Sequence, residues 1–115
     1  MANNHNSKNL DSIFEALVSK HRREIIYLLG LQPHSISQLA SIRRLSLPAI
    51  HKHINILLNA KLITRKKVGR TSFLAIKRDS LNIIQNWIAQ FHPYWGNNKE
   101  TLVNYKKWLK GGENK

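Results

Sequence analysis

Apolar residues recur at helical spacing through most of the chain. Leu10, Ile13, Phe14, Leu17 and Val18 make one stripe and predict a first helix, after a polar flexible tail over residues 1–9 that is rich in Asn and Ser. Ser19 is placed to cap a second helix in which Ile25, Ile26, Leu28 and Leu29 face the core, and Gly30 with Pro33 is expected to end it. Ser37 is placed to cap a short third helix with Leu39, Ala40 and Ile42 inward. Ser46 then caps a fourth that begins at Leu47-Pro48, because a first turn tolerates proline's missing N–H. Ile50, Ile54, Leu57 and Leu58 would hold this fourth helix against the body, leaving Leu47, His51, Lys52 and Asn55 outward.

Two short helices joined by a tight turn are the arrangement of a helix-turn-helix, whose second helix reads DNA. After Lys61 the period changes from helical to alternating. Ile63 and Arg65, then Phe73, Leu74, Ala75 and Ile76, predict two strands around Val68-Gly69-Arg70, a basic hairpin or wing. Asp79 or Ser80 can cap a fifth helix carrying Leu81, Ile83, Ile84, Trp87, Ile88 and Phe91. That helix is apolar around more than half its circumference, too much for one small core, and predicts a homodimer. Pro93 is expected to break it. Leu102, Val103, Tyr105, Trp108 and Leu109 continue an amphipathic pattern until Gly111-Gly112. The expected fold is mainly α with a small β-hairpin, α-α-α-α-β-β-α plus a C-terminal helix. Residues 10–92 would form the domain, 93–110 a helical extension and 111–115 a tail.

Charge gives this outline a partner. No carboxylate lies between Glu24 and Asp79, whereas ten of the nineteen basic residues do: Arg43, Arg44, Lys52, Lys61, Arg65, Lys66, Lys67, Arg70, Lys77 and Arg78. The chain of 115 residues carries 19 basic against 6 acidic residues, a net +13, with a pI near 10.6. Duplex DNA, with about one negative charge per 1.7 Å of axis, is the commonest partner for such a surface. The length leaves room for one domain and a modest core. With no cysteine there are no disulfides, thiolate metal ligands or thiol switches. The amino end lacks the apolar run of a secretion signal, and no apolar segment approaches the ~20 residues that span a bilayer. A soluble, cytoplasmic protein without membrane contact is expected.

The candidate DNA-contact residues are Ser37, Ser46, Leu47, Pro48, His51, Lys52, Asn55, Arg65, Lys66, Lys67 and Arg70. Lys52 suits a guanine edge or a phosphate, Asn55 suits adenine, and a neutral His51 can donate or accept. The competing reading is a solvated helix face. His53 lies about 200° around the helix from His51 and is assigned to structure. A zinc site at His51 and His53 is not expected, since helical residues two apart diverge and neither has a carboxylate or cysteine nearby in sequence. The basic run Arg65 to Arg70 could be a protected hairpin edge. Behind a recognition helix it reads as a backbone grip, with Gly69 supplying a turn that needs positive φ. Ile13, Phe14, Leu17, Ile84, Trp87, Ile88, Phe91 and Trp95 are the candidate dimer interface, aromatic residues at helical spacing being core or interface more often than ligand pockets. No carboxylate pair, nucleophile with base or phosphate loop appears, so an enzyme is not expected and no cofactor is called for.

The residues filling this order resemble the ArsR family of bacterial repressors over about residues 10–109. The resemblance is carried by Arg22-Arg23-Glu24-Ile25, Ser37-Gln38-Leu39-Ala40, and Ser46-Leu47-Pro48-Ala49-Ile50-His51-Lys52-His53-Ile54, the last being the most specific. Leu57 through Thr64, the Gly69-Arg70 tip, and Trp87 through Trp95 add to it. It implies a winged helix-turn-helix in a dimer. The family's metal sensors use cysteines beside the recognition helix or an Asp/His/Glu set on the terminal helix, where this chain offers only Asp79 and His92, so the resemblance is to a subgroup without metal sensing. Lys61 stands where the family usually has Gly, and a left-handed cap there would cost about 1 kcal/mol. His51 replaces the usual Ser, and Asn55 a common Lys or Arg, so the operator sequence cannot be borrowed from relatives.

The expected function is a homodimeric, sequence-specific repressor on an inverted-repeat operator, the alternative being a protein that coats nucleic acid without sequence preference. The sequence leaves the releasing signal, a small molecule or a protein inducer, unnamed.

Overall fold

The computed structural model describes residues 4–91 and 98–113. Its elements are α1 (Asn4–Leu17), α2 (Lys20–Leu31), β1 (His34–Ser35), α3 (Ile36–Arg43), α4 (Leu47–Asn59), β2 (Ile63–Val68), β3 (Thr71–Ile76), α5 (Arg78–Ala89) and α6 (Asn98–Glu113). The fold is mainly helical with a small antiparallel hairpin, as the patterning predicts. The chain divides into two units, Met1–Ile83 and Ile84–Lys115.

The core of the first unit is built from the faces that the spacing assigned to it. Ile13, Ile25, Leu39, Ile50, Ile54, Leu57, Leu62 and Leu74 are fully buried. Each is worth roughly 1.5–3 kcal/mol relative to exposure. Helix α1 packs on α2 and α4, α3 packs on α4, and α2 also meets α4 and β3.

Several boundaries differ from the sequence expectation, each for a local reason. Helix α1 begins at Asn4, because no Gly or Pro interrupts the chain before Leu10 and an established helix extends cheaply. Its stripe is narrower than read: Ile13 and Ala16 are buried, whereas Phe14 and Val18 are exposed. Gly30 sits inside α2, which runs to Leu31. Pro33 ends it by holding Gln32 extended at φ −172°, ψ 161°. Ser37 does not cap α3. That role falls to Ser35, whose Oγ accepts from the Gln38 N–H at 3.1 Å while Gln38 Oε1 accepts from the Ser35 N–H at 2.9 Å, a reciprocal capping box. Ile42 points outward and is half exposed.

The sheet has a third strand that alternation could not reveal, since β1 has two residues. It pairs antiparallel with β3 through His34 opposite Leu74 and Ser35 opposite Phe73, giving the order β1-β3-β2. Neither Asp79 nor Ser80 caps α5, which begins at Arg78. Ser80 is buried and donates instead to the carbonyls of Lys61 at 2.6 Å and Ala60 at 3.3 Å, tying α5 to the end of α4.

In the second unit α6 runs through Gly111 to Glu113, so Gly111-Gly112 does not stop it; Gly111 lacks the positive φ of a terminating glycine. The proposed break at Pro93, and with it His92 and Trp95, lies outside the described residues.

Candidate nucleic-acid interface

Helix α4 presents two chemically distinct faces. Ser46 caps it in an extended conformation (φ −66°, ψ 158°), its Oγ accepting from the Ala49 N–H at 3.3 Å. Ile50, Ile54 and Leu57 face the core, while Leu47, Pro48, His51, Lys52 and Asn55 are exposed around Ser46 and along the opposite side. These six sequence candidates therefore share one surface of one helix. Ser37 is exposed in the first turn of α3. The exposed apolar Leu47, with over half its surface open, has no use in the core and suits a thymine methyl group.

Both helices of the pair end in the same way. Arg44 takes φ 56° after α3, with its N–H bonded to the Ser41 carbonyl and the Leu45 N–H to that of Ala40. Lys61 takes φ 59° after α4, with its N–H on the Leu58 carbonyl and the Leu62 N–H on that of Leu57. These are two Schellman terminations, each with a basic residue where glycine is usual. The second delivers Leu62 into the core and turns the chain into β2.

The hairpin leaves the body outward. Ile63 is buried at the base of β2, and Thr64, Arg65, Lys66, Lys67 and Val68 are all exposed beyond it. Pairing runs from Ile63 opposite Ile76 to Val68 opposite Thr71. With a side-chain period of two, Arg65 and Lys67 share one face and Lys66 takes the other. Gly69 closes the turn at φ +63°, so the wing's two-residue turn, Gly69-Arg70, uses glycine at the position that requires positive φ.

The candidate dimer residues divide. Ile13 is withdrawn from that set, because it is fully buried in its own protomer and has no surface left to share. Leu17 and Ile84 are half-buried, whereas Phe14, Trp87, Ile88 and Phe91 are exposed. Trp87 and Phe91 meet edge to face, with ring centroids 5.2 Å apart.

Residues that the sequence reading passed over form the back of the site. Arg22 on α2 donates through Nε to the Ala16 carbonyl at 2.6 Å and through Nη2 to that of Glu15 at 3.3 Å. Its Nη1 donates to His53 Nδ1 at 3.2 Å. His53 thus serves structure, as its angular position predicts. Burial first, then the electrostatic influence of Arg22, His21 and Lys52, push its pKa below the usual 6.5. Among the described residues no helix is long and apolar enough to cross a membrane.

The profile described as bacterial regulatory protein, arsR family, matches residues 19–65, from the α2 cap into the wing. The chain is 31% identical to a solved ArsR-like transcriptional regulator from Rhodococcus sp. RHA1, with a TM-score of 0.71 over 88% of this chain and 92% of that one. It is also 27% identical over 82 residues to the transcriptional repressor SdpR of Bacillus subtilis, covering 71% of this chain and 91% of SdpR. At 15% identity and a TM-score of 0.60, it shares its fold with a solved homodimeric winged helix-turn-helix DNA-binding domain from Mycobacterium bovis, over 84% of this chain and 94% of that one. The capped helix α4 with its exposed polar face, the projecting basic hairpin and these similarities converge on one assignment: the chain belongs to the ArsR family of DNA-binding bacterial transcriptional regulators, with a winged helix-turn-helix fold.

Proposed function

We propose that this regulator is a homodimeric repressor that recognises an inverted-repeat operator. The observation that carries the reading is the outward face of α4, where His51, Lys52 and Asn55 are exposed along a helix whose other side is locked into the core by Ile50, Ile54 and Leu57. In this reading α4 enters the major groove, with Lys52, Asn55, His51 and Ser46 at base edges or the adjoining phosphates and Leu47 and Pro48 against the groove wall. Ser37, Arg65, Lys66, Lys67 and Arg70 hold the flanking backbone. Exposed Phe14, Trp87, Ile88 and Phe91, with half-buried Leu17 and Ile84, supply apolar surface for a second copy. Repression is supported by the similarity to SdpR, and pairing by the homodimeric relative from Mycobacterium bovis. The protein would act in the cytoplasm, with release by a small-molecule or protein inducer.

Selecting bound fragments from random duplexes tests this. An enriched inverted repeat with half-sites about 34 Å apart is the expected result. Binding without any enriched motif would replace the repressor by a protein that coats nucleic acid through its charge.

A further inference from the structure

Behind the reading face of α4 lies a cluster built only from bases. His21 and Arg22 are neighbours at the start of α2, Arg43 ends α3, and His53 sits on the inner side of α4. Arg22 Nη1 donates to His53 Nδ1 at 3.2 Å, and Arg43 Nη2 donates to His21 Nδ1 at 3.0 Å. The two imidazole rings lie 5.5 Å apart, tilted by 39°. A guanidinium has no lone pair to offer, so each histidine must be the acceptor, neutral and with its proton on Nε2. Arg43 Nε is buried with no hydrogen-bond partner, so the remaining contacts of that guanidinium matter more. Through its bonds to the Glu15 and Ala16 carbonyls, Arg22 extends the cluster to α1.

We propose that Arg22, His21, Arg43 and His53 are positioning residues for DNA recognition, holding α4 at the angle at which its outer face meets the groove, and that protonation of His53 releases this hold. The proposal rests on the reading of α4 as the recognition helix.

The surroundings set the direction of the effect. The groups facing His53 are Arg22 and His21 from α2 and Lys52 on its own helix, and all three disfavour a charged imidazole, as does burial. Arg43 from α3 faces His21. On α1, Glu15 lines with Arg22 a cavity of about 260 Å³, and its backbone carbonyl accepts from Arg22 Nη2 at 3.3 Å. Protonated His53 would turn Nδ1 into a donor aimed at a donor, beside a guanidinium whose other N–H groups are held by α1. The Arg22 bond is then lost, and with it a polar tie between α4 and α2.

The experiment compares the unmodified chain with His53→Gln on the selected duplex at constant salt, by fluorescence anisotropy from pH 7.5 to 5.5. Glutamine keeps an acceptor for Arg22 and does not titrate. At pH 7.5 the two proteins should bind alike. Over the acid range the unmodified chain should lose about fivefold or more affinity relative to His53→Gln, following the proton it must take up. Superimposable pH profiles in chains that bind at pH 7.5 overturn the proposal alone. Failure of the wild-type chain to bind any duplex at pH 7.5 overturns the recognition-helix reading, and the positioning role with it. Long-range ¹H–¹⁵N NMR of the unmodified chain supplies a test without substitution. At pH 7.5 both His21 and His53 should carry their proton on Nε2, and a protonated Nδ1 on His53 would refute the network.

Discussion

Replacing Lys67 and Arg70 together by alanine removes two cations from a hairpin on which both are exposed. Among the described residues neither takes part in a side-chain bond to the body of the protein, so stability should stay within about 0.5 kcal/mol of wild type. Binding should respond through counterion release, at about 0.9 in the slope of log K against log salt for each phosphate contact, or about 1.8 per protomer for two. Over a fourfold rise in salt, wild type should then lose roughly tenfold more affinity per protomer than the variant, and on the order of a hundredfold more when two protomers grip one site. The loss at low salt should be similar for the operator and for a scrambled duplex, because phosphate contacts carry no sequence information. Fluorescence anisotropy titrations at four or five salt concentrations, with circular dichroism melts as a folding control, make the measurement. Parallel salt slopes in a folded variant would refute the wing as a backbone grip, and a loss confined to the operator would move these residues to base reading.

The other predictions concern the scaffold. Lys61→Gly relieves a left-handed residue at φ 59° and should stabilise the chain by about 0.5–1 kcal/mol after the unfolded-state entropy of glycine is counted, a rise of a few degrees in melting temperature. Ile54→Ala, at a position with no exposed surface, should cost about 2–5 kcal/mol in denaturant unfolding; a cost near zero would mean that α4 is not anchored there. Exchanging Trp87 and Ile88 for Glu should leave the helical signal intact while sedimentation shows monomers, and an unchanged dimer would place the interface elsewhere. His53 has a folded pKa below 6.5, so the unfolded chain binds more protons just under that value. Its contribution is therefore present above pH 6.5 and lost as the pH falls below it, a dependence that thermal melts of wild type should show and His53→Gln should lack.

Much of the candidate interface was legible because its signals are local. Ser46 before Leu47-Pro48 marks a helix start, and the period of Ile50, Ile54 and Leu57 determines which side of α4 is outward. The acid-free run with Gly69 amid basic residues marks the hairpin. Ser35 could have been found by the same means, since Ser35 and Gln38 have capping-box spacing, but Ser37 lies two residues on and competes for the role. Ile13 was misjudged for a different reason. A stripe on α1 says that a residue is apolar but not whether its neighbours come from its own chain or another.

By itself the sequence determined the order of the helices and the hairpin, the outward face of α4, the charge of the wing and hence the kind of partner, because these follow from spacing, capping and composition within a few residues. Only the tertiary structure decided that β1 joins the sheet, that Ser80 ties α5 to the end of α4, and that Arg22 and Arg43 meet two histidines behind the exposed face of α4. Such contacts join residues 19 to 40 positions apart, and no period or motif encodes the distance between two side chains whose helices meet only when the core closes.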